Sequence, residues 1–525
     1  MIVSDSLDTK SASDKRGTRV SIRRTNEGIF VVDDVLIVGG GPVGLFLAGE
    51  LARAGCTVQV LERDPDPDTA WKSFPLGMRT LWDLSAEVFY RRGMLAEILT
   101  ASGSGENVVL PRTLHFAGIL VDPDAIDVAA LPFRLPSPAP ERIVTSLAAV
   151  ESVLGERAAK LGATIRRGVA VSGVEPHHDH VVVRAGADEY VARWVVGCDG
   201  GRSTVRVAAG IGFEGTDPTF TGYTTHVTMA DPEKLRPGFH LTPWGLYLRT
   251  QHEGHVGMND FDGGAFDRSQ ALTLEHLQEV LRRVSGTDVT LTGVRGASTF
   301  TDRARQATTY RRGRVLLAGD AAHIHAPLGG QGLNLGIGDA LNLGWKLAAT
   351  VHGQAPAGLL DTYTEERHPI AARVLDWTRA QVAIMRPGPL SQAVQGVIRE
   401  LIQTPDVATY IYDRLSGLAL HYDLGSDQPL VGRNAPAFRM ADGTALADLM
   451  LEGRGVLLDF GGSLRDVAAP WRDRVRYVNG PAENDLGFDA VLIRPDGIVA
   501  WAGGDVPSFT EALNRWFTAG ARHTG

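Results

Sequence analysis

The chain has 525 residues, of which 44% are hydrophobic, and a formal net charge of −9 at pH 7. This length accommodates about three domains, and the acidic balance, without a basic stripe, argues against a nucleic-acid partner. Cys56 and Cys198 are the only cysteines, so neither a disulfide framework nor a multi-cysteine metal site is expected. No apolar run approaches the roughly 18 residues of a membrane span, so no membrane partner is expected either.

The first 30 residues are polar and contain no apolar core segment, so they do not fit a secretion signal. A basic, serine-bearing start is also typical of an organellar transit peptide, but three aspartates before residue 15 count against that class. We therefore expect residues 1–30 to form a disordered extension. The low cysteine usage fits a reducing cytoplasm best.

A glycine-rich turn after a short apolar run is the central feature of the sequence. Residues 34–38 predict a strand buried on both faces, and Gly39, Gly41 and Gly44 follow at GxGxxG spacing. In a dinucleotide-binding turn these glycines permit the tight turn, the approach of a pyrophosphate and close packing of the next helix. A plain glycine-rich loop is the alternative interpretation.

The elements after the turn occur in the order of a dinucleotide-binding unit. Pro42 suits a first helical turn, and apolar residues recur at helical spacing from Val43 to Ala54. Residues 58–61 predict a second strand. Glu62 ends it, roughly 20 residues after the glycines, where a carboxylate accepts the hydroxyls of an adenosine ribose. This order favours a bound dinucleotide over the plain loop.

The remaining segments predict an α/β fold assembled from separated pieces of chain. Helices are expected over 79–99, 146–161 and 274–284, and buried strands over 194–198 and 314–318. Residues 213–300, rich in threonine, aromatic residues and alternating polarity, predict an inserted, mostly antiparallel sheet. After residue 425, short strands and a last helix predict a small α/β module with a hairpin.

A second glycine-rich constellation follows the strand at 314–318. Asp320 stands at the strand end, where a carboxylate can accept a ribityl hydroxyl, and Pro327 precedes a long helix that extends to about Val351. The helix N-terminus offers unpaired N–H groups and a positive dipole end, which suit negative charge on a reduced isoalloxazine. Close packing of the helix against the sheet is the alternative reason for its many glycines.

These motifs together resemble those of the class A FAD-dependent monooxygenases, the family with the p-hydroxybenzoate hydroxylase fold, and most of all its aromatic polyketide and phenol hydroxylase branch. The matching segments are GGGPVG at 39–44, CDGGRSTVR at 198–206, GDAAHIHAPLGGQGLNLGIGDALNLGWKL at 319–347 and LLDTYTEERHP at 359–369. The resemblance covers nearly the whole chain after residue 31.

The resemblance implies an α/β fold with a Rossmann-type FAD-binding domain, an inserted mostly antiparallel β-sheet substrate domain and a C-terminal thioredoxin-like domain. That last domain has no Cys-x-x-Cys, so redox work by it is excluded. The expected divisions are a disordered extension (1–30), the FAD-binding domain in two parts (31–212 and 301–424, the second with a helical region), the substrate domain (213–300) and the thioredoxin-like domain (425–525).

The resemblance also implies roles for individual residues. Asp199 and Gly200 belong to a motif that links FAD and nicotinamide handling, Asp320 holds the ribityl chain, and Pro327 lies against the flavin. No side chain is assigned as catalytic, because the flavin carries the chemistry. The cofactor-binding residues predicted in this way are Gly39, Gly41, Pro42, Val43, Gly44, Glu62, Arg63, Arg79, Asp199, Asp320, Pro327, Gly330, Gly332, Leu333 and Asn334.

Two departures from the family pattern concern the FAD phosphates. Many relatives carry a glutamine and an arginine before a glutamate, where this chain has residues 147–151. The usual Arg-Thr pair before the helix of Glu87 is expected to be displaced, with Arg79-Thr80 upstream. Arg79 or Arg142 are the candidate substitutes for the missing positive partner.

Other polar groups fit structural roles better than chemical ones. His323 and His325 lack a third ligand at suitable spacing, so no metal site is predicted. Ser203 is expected to cap the next helix. Strand alternation places only about half of any set of sheet residues on one face. With that reservation, the candidates to line a planar substrate pocket are Tyr223, His226, Trp244, Tyr247, His255 and Asn259.

The resemblance implies an enzyme that uses FAD and NADPH or NADH to insert one oxygen atom from O2 into an aromatic polyketide in secondary metabolism, by hydroxylation or Baeyer–Villiger insertion. The alternative is a flavin-dependent dehydrogenase, reductase or rearrangement catalyst acting on a polyketide quinone without net oxygen insertion. A binding protein that uses FAD structurally is a third hypothesis. A monomer or a homodimer is expected.

Overall fold

The fold consists of several β-sheets with helices packed on them, and the computed structural model describes residues 10–13, 19–25, 28–103 and 114–520. Its strands are β1 (Lys10–Ser13), β2 (Arg19–Thr25), β3 (Gly28–Val38), β4 (Val58–Glu62), β5 (Met78–Trp82), β6 (Leu114–Phe116), β7 (Ile119–Val121), β8 (Arg142–Ser146), β9 (Thr164–Arg167), β10 (Gly173–Pro176), β11 (Val181–Ala185), β12 (Asp188–Gly197), β13 (Phe213–Thr216), β14 (Thr221–Met229), β15 (Gly238–Thr242), β16 (Gly245–Arg249), β17 (His255–Asp260), β18 (Leu291–Thr301), β19 (Ala304–Ala307), β20 (Arg311–Arg312), β21 (Val315–Leu317), β22 (His323–Ile324), β23 (Gly455–Asp459), β24 (Val475–Asn479), β25 (Ala490–Ile493) and β26 (Val499–Gly503).

The helices lie between these strands and after them. They are α1 (Pro42–Arg53), α2 (Asp83–Arg91), α3 (Leu95–Ala101), α4 (Leu147–Lys160), α5 (Thr204–Ala208), α6 (Leu274–Ser285), α7 (Gln331–Val351), α8 (Thr362–Met385), α9 (Pro389–Leu401), α10 (Pro405–Ser416), α11 (Leu446–Met450), α12 (Arg465–Ala468) and α13 (Val506–Trp516). Among the described helices, none combines the length and the apolar character that crossing a membrane requires.

Five parallel strands form the centre of the largest sheet. Their order is β9-β4-β3-β12-β21, and β20 pairs antiparallel with β21 at the edge. Counted along the chain, this is the 3-2-1-4-5 order of a dinucleotide-binding fold. Val35, Leu36 and Ile37 of β3 are 0% exposed, as a strand covered on both faces requires. The order reverses between β3 and β12, and ligands bind in the crevice at such a reversal.

The first 30 residues differ from the expectation. β1 pairs with β2, and β2 pairs with the first half of β3, in both cases antiparallel. The predicted disordered extension is therefore wrong for the described part of 1–30, whereas residues 1–9, 14–18 and 26–27 lie outside the described residues. Polar and apolar residues alternate from Arg19 to Arg23, and this two-residue period suits pairing with the edge of β3.

The segment 79–99 also differs from the single helix predicted for it. Arg79 lies on β5, which pairs antiparallel with β8, and α2 begins only at Asp83. Gly93, with φ +67°, separates α2 from α3. The strand forms because β8, distant in sequence, supplies its partner. The helices predicted over 146–161 and 274–284 are confirmed as α4 and α6.

A five-stranded antiparallel sheet forms most of the segment 213–300. Its order is β15-β16-β17-β14-β18, and α6 covers one face. Leu277, Val280, Leu281 and Val284 of α6 are at most 1% exposed, and their spacing forms one apolar stripe along the helix. β13 belongs to a separate three-stranded sheet of order β13-β19-β22.

The C-terminal module contains a four-stranded sheet of order β24-β23-β25-β26. β23 and β24 are parallel, whereas β25 is antiparallel to both β23 and β26. A βαβ unit joined to a hairpin in this order is the arrangement expected of a thioredoxin-like module. Phe509, Leu513 and Trp516 of α13 pack into its core.

A buried network of charges joins this module to the dinucleotide-binding part. Glu366 of α8 accepts hydrogen bonds from Arg494 at 2.7 and 2.8 Å and from Lys346 of α7 at 2.8 Å. Burial alone would raise the pKa of Glu366, but Arg494 and Lys346 outweigh it and hold that pKa well below its usual range. Removing one partner leaves a buried charge uncompensated, so the network fixes the position of the module.

Glu50 of α1 forms a second buried ion pair. It accepts hydrogen bonds from Arg53 at 2.8 Å and from Arg92 at 3.0 Å, and Arg92 also donates to the carbonyl oxygens of Met450 and Pro495. Burial alone would raise the pKa of Glu50, but the two arginines lower it from 4.5 to about 2. The carboxylate thus holds α1, the end of α2 and the C-terminal module together.

We predict that Glu50→Gln removes part of the acid dependence of stability. A carboxylate with an unfolded pKa of 4.5 and a folded pKa of about 2 contributes stability above pH 4.5, and this contribution is lost as the pH falls towards 2. The shift corresponds to roughly 3 kcal/mol. Urea unfolding across this pH range should show the variant less stable at neutral pH and converging with wild type in acid. Glu156→Gln, at an exposed carboxylate of α4, is the control, and parallel curves for Glu50→Gln would contradict the prediction.

Candidate functional site

The glycine turn after β3 is packed on one side and open on the other. A Cβ on Gly39, which has φ +108°, would lie 2.3 Å from the carbonyl oxygen of Cys198, and one on Gly44 would lie 2.1 Å from the carbonyl oxygen of Gly39. A Cβ on Gly41 would meet nothing within 4 Å. α1 begins at Pro42, so its first N–H groups, which lack helical partners, adjoin the open side.

Glu62 borders the turn from the neighbouring strand β4. Its Oε2 accepts a hydrogen bond from the backbone N–H of Gly40 at 2.5 Å, and its Oε1 accepts one from Asp64 at 2.8 Å. Both contacts hold the carboxylate rigidly beside the turn, where the ribose was expected. The side chain of Arg63 is 76% exposed and pairs with its neighbour Asp64.

The two glycine motifs meet at one close crossing. A Cβ on Gly336 of α7 would lie 2.5 Å from a methyl group of Val43 on α1, and one on Gly319 would lie 3.1 Å from the same methyl group. Gly319 also has φ +62°, which favours glycine. The crossing seats the turn that carries Asp320 against the N-terminus of α1, so both motifs belong to one site.

Arg79 of β5 and Asp320 are near enough for their charges to interact. Burial raises the pKa of Asp320, and His323 and Arg79 oppose this effect. Burial lowers the pKa of Arg79, and Asp320 and Glu151 oppose it. The Asp320 side chain remains accessible to solvent although protein surrounds it, so it lies in a cleft.

Lys72, which the sequence analysis did not single out, lies near the same cleft. Its Nζ donates to Glu151 of α4 at 2.7 Å, and both side chains are buried. The charge of Lys72 is therefore balanced by Glu151. Arg79 instead donates one N–H group to the carbonyl oxygen of Met78, and its other N–H groups can serve a ligand. Arg142 lies on β8 opposite Trp82. The Arg79-Thr80 pair lies on β5, and Leu81 and Trp82 separate it from α2, which begins at Asp83.

Asn334 braces the N-terminus of α7 against β5. Its Oδ1 accepts from the backbone N–H of Trp82 at 2.9 Å, and its Nδ2 donates to the carbonyl oxygens of Thr80 at 2.9 Å and Gly330 at 2.8 Å. The side chain is thus engaged with backbone groups. Gly330 is the N-cap residue with φ +66°, so α7 begins at Gln331.

Asp339 of α7, which the sequence analysis missed, holds the loop between Gly319 and α7 in place. Its carboxylate contacts His323 at 2.6 Å and accepts hydrogen bonds from Arg367 at 2.7 Å and from the backbone N–H of Gly319 at 3.1 Å. Burial alone would raise the pKa of Asp339, but His323 and Arg367 lower it. His323 therefore has a structural partner, and no group of three or more metal-ligating side chains occurs in the described ranges.

The segment after β12 forms the third part of the site. Asp199 accepts hydrogen bonds from Ser203 at 2.5 Å and from the backbone N–H of Val205 at 3.1 Å. Ser203 caps α5 through the N–H of Arg206, as predicted. Arg206 donates to the carbonyl oxygen of Ala321 at 2.9 Å, which ties this turn to the residue after Asp320.

An apolar cluster, here called the cleft cluster, joins the loop before α7 to the face of the five-stranded sheet that α6 does not cover. Phe116, Phe239, Leu241, Phe261 and Phe300 pack against it. Its buried members are Ala117, Phe220, Leu246, Ala326, Leu328, Val382 and Met385. The cluster lies beside the loop that follows Asp320.

The structure separates the six substrate candidates by sheet face. Tyr223 and Tyr247 pack in the core under α6, and the Tyr223 hydroxyl contacts His276 of that helix at 3.1 Å. Trp244 is 53% exposed in the turn between β15 and β16. Strand alternation thus turns Tyr223 and Tyr247 towards α6, and Trp244 lies in a turn beside the end of that helix, so none of the three faces the cleft cluster. Register places His226, His255 and Asn259 on the opposite face.

An FAD molecule, expected from the resemblance, fits these groups. The open backbone at Gly41 and the N-terminus of α1 suit a pyrophosphate. The carboxylates of Glu62 and Asp320 suit the hydroxyls of ribose and ribitol, and Arg79 supplies a cation near Asp320. Each of these groups borders the crevice where the strand order reverses.

We predict that Gly44→Ala loses FAD and stability, because its Cβ would collide with the backbone of Gly39. Gly49→Ala on the same helix is the matched control, since its Cβ would meet nothing closer than 3.9 Å, and we expect it to gain roughly 0.5–1 kcal/mol. Flavin absorbance per protein and urea unfolding measure both effects. Wild-type flavin content and stability in Gly44→Ala would show that the crossing is not tight.

Comparison with known proteins shows the family of this chain. Residues 33–378 match the FAD binding domain family, and residues 428–520 match the C-terminal domain of aromatic-ring hydroxylases. A monooxygenase of Claviceps purpurea (strain 20.1) is 44% identical over 502 residues, which cover 93% of this chain and 98% of its own. A rifampicin monooxygenase of Streptomyces venezuelae is 41% identical over 498 residues, which cover 93% and 99% of the two chains.

The fold agrees as well. The structure of OxyS, an anhydrotetracycline hydroxylase from Streptomyces rimosus, matches with a TM-score of 0.81 and 35% identity, and the match covers 92% of this chain and 99% of that one. The family match spans the turn, the crossing and the cleft described above. The chain therefore belongs to the class A flavin monooxygenases, with their FAD binding domain and an aromatic-ring hydroxylase C-terminal domain.

Proposed function

We propose that this protein consumes NADPH or NADH and inserts one oxygen atom from O2 into an aromatic polyketide in secondary metabolism. The observation that best supports the proposal is the cleft cluster, which brings Ala326 and Leu328 of the loop together with Leu246 of the sheet. A flat, apolar ring system can lie between these elements. The names of two similar proteins, a rifampicin monooxygenase and an anhydrotetracycline hydroxylase, support this substrate class.

Bound FAD supplies hydride acceptance and oxygen activation, and the residues of the chain bind and orient it. In our proposal Asp320 would accept hydrogen bonds from the ribityl hydroxyls of FAD, and Arg79 would balance the negative charge of its phosphates. The first N–H groups of α7, next to Gly330, stabilise negative charge on the ring system through the helix dipole. Asn334 and Asp339 hold that helix end in place, so the donors need not reorganise during the reaction.

Exclusion of water is the second contribution that we assign to the chain. The tip of the β6–β7 hairpin closes on the sheet, where a Cβ on Gly118 would lie 2.6 Å from Leu246. The neighbouring N–H of Ala117 donates to Gln381 of α8 at 3.0 Å. The hairpin, α8 and the sheet thus form apolar walls around the ring end of the cleft, which protects a reactive centre from solvent.

A group of arginines beside the Asp199 turn supports the use of a nicotinamide dinucleotide. Burial lowers the pKa of Arg268, and the guanidinium groups of Arg202 and Arg303 lower it further. All three side chains are exposed. The charge of Arg268 is thus repelled by those of Arg202 and Arg303, and an anion with several charges relieves that repulsion. The phosphates of NADPH are such an anion, and Arg202 follows the turn that the family resemblance links to nicotinamide handling.

The experiment that tests the proposal supplies the FAD-loaded protein with NADPH, isotope-labelled O2 and anhydrotetracycline or rifampicin. We expect the product to gain one labelled oxygen atom, detected by mass spectrometry, with NADPH oxidation faster in the presence of substrate. NADPH oxidation that yields a changed product without label would instead support the redox or rearrangement alternative.

We predict that Arg202→Ser and Arg303→Ser each raise the KM for NADPH roughly 10-fold, because each removes a charge-assisted contact to phosphate. The effect should shrink at high salt, which screens exposed charges. Flavin content should not change. Steady-state kinetics with NADPH and NADH measure these effects, and comparison of the two cofactors separates contact with the ribose phosphate from contact with the pyrophosphate.

Arg476→Ser is the control for this prediction, since Arg476 is an exposed arginine on β24 of the C-terminal sheet. It should leave the KM for NADPH and its salt dependence as in wild type. An unchanged KM in both Arg202→Ser and Arg303→Ser would show that the dinucleotide approaches from elsewhere.

A further inference from the structure

Asn259 is a polar residue in a wall that is otherwise mainly apolar. It lies on β17, and its side chain is 5% exposed. No side-chain hydrogen bond joins Asn259 to any residue in the described part of the chain. Its carboxamide atoms are nevertheless not sealed from solvent, unlike the buried unpaired atoms found elsewhere in the molecule. The carboxamide is therefore both unpartnered and accessible.

The alternation of β17 shows where this side chain points. Met258 packs in the core under α6, and Asp260 accepts a hydrogen bond from Arg283 of α6 at 2.6 Å. Asn259, between them, must project from the opposite face. Its register partners on that face are Leu246, a member of the cleft cluster, and Gly222.

Gly222, Phe300 and Leu246 surround the carboxamide of Asn259. Gly222 contributes no side chain, and the ring of Phe300 covers it, since a Cβ there would lie 2.2 Å from that ring. The aromatic ring and Leu246 thus flank the carboxamide. A flat molecule stacked against these apolar groups would bring its edge to the amide of Asn259.

Two polar residues on this side of the sheet, Thr224 and His255, already have partners. Thr224 contacts His255 at 3.2 Å, and His255 contacts Thr250 at 3.1 Å through its second ring nitrogen. The Oε1 of Gln381 accepts from Ala117, whereas its Nε2 has no hydrogen-bond partner among the described residues and is sealed from solvent, so a ligand cannot reach it. Buried polar groups are nearly always hydrogen-bonded, so the amide of Asn259, which has no partner among the described residues, points to a contact that a ligand completes.

We propose that Asn259 is a substrate-binding residue that pairs with an adjacent carbonyl and hydroxyl on the edge of an aromatic polyketide. A carboxamide donates through Nδ2 and accepts through Oδ1, and a neighbouring keto and hydroxyl pair offers the complementary acceptor and donor. This contact fixes which edge of the ring system lies nearest the loop before α7. The inference rests on the proposed function, because it takes the cleft cluster as the substrate site.

The test uses FAD-loaded protein and two probes of one shape, 1-hydroxyanthraquinone, which carries the keto and hydroxyl pair, and anthracene, which carries no oxygen. Tryptophan fluorescence quenching gives both dissociation constants. We expect Asn259→Leu to weaken binding of 1-hydroxyanthraquinone about 10-fold and to leave binding of anthracene unchanged. Asn259→Ser, which keeps a donor and an acceptor, should recover part of the loss.

Tyr223→Phe is the matched control, since it removes a hydroxyl from the α6 face of the same sheet and should not change the affinity for either probe. Flavin content and urea unfolding check that the variants fold, and Asn259→Ser serves if Asn259→Leu does not. Failure of wild type to bind 1-hydroxyanthraquinone, or equal losses for both probes, would overturn the inference. Absence of labelled oxygen in the product with Asn259-dependent binding intact would instead overturn the proposed function alone.

Discussion

The buried carboxylate of Asp339 is the constraint on which the site depends. It is 0% exposed, and its contacts with His323, Arg367 and the N–H of Gly319 join the turn of Asp320, the loop, α7 and α8. A buried carboxylate is stable only while such partners remain in place. The turn that carries Asp320 and the N-terminus of α7 are therefore held relative to each other before any ligand binds, which is what electrostatic preorganisation requires.

The same principle connects the C-terminal module to the cleft. Asp339 of α7 contacts His323 of the loop, and Lys346 of the same helix donates to Glu366, which also accepts from Arg494. One helix therefore takes part in both buried networks. Burial lowers the pKa of Lys346 to about 8, although Glu366 opposes the shift. A module without paired cysteines thus has a structural reason to be present. The module completes the buried charge network that holds the C-terminal part of α7 in place.

The substrate side of the cleft follows a different rule, the alternation of strands. Each strand of the five-stranded sheet turns half of its residues to α6 and half to the loop before α7. Large aromatic residues such as Tyr223 and Tyr247 fill the core beneath the helix. The cleft face includes aliphatic groups, Phe300 and the carboxamide of Asn259, a surface that suits a flat ligand with a polar edge.

The sequence by itself determined the elements whose cause is local. The strand, glycine turn, helix and acid from residue 34 to Glu62, the cap at Ser203 and the helices α4 and α6 follow from patterns within one window. The tertiary structure decided what depends on distant partners. Pairing with β8 made Arg79 part of a strand, pairing with β3 ordered residues within 19–25, and register chose which aromatic residues face the cleft. Asp339 and Lys72 acquire their roles only when folding brings their charged partners to them, because an ion pair is a property of two positions in space and leaves no periodic signal in the chain.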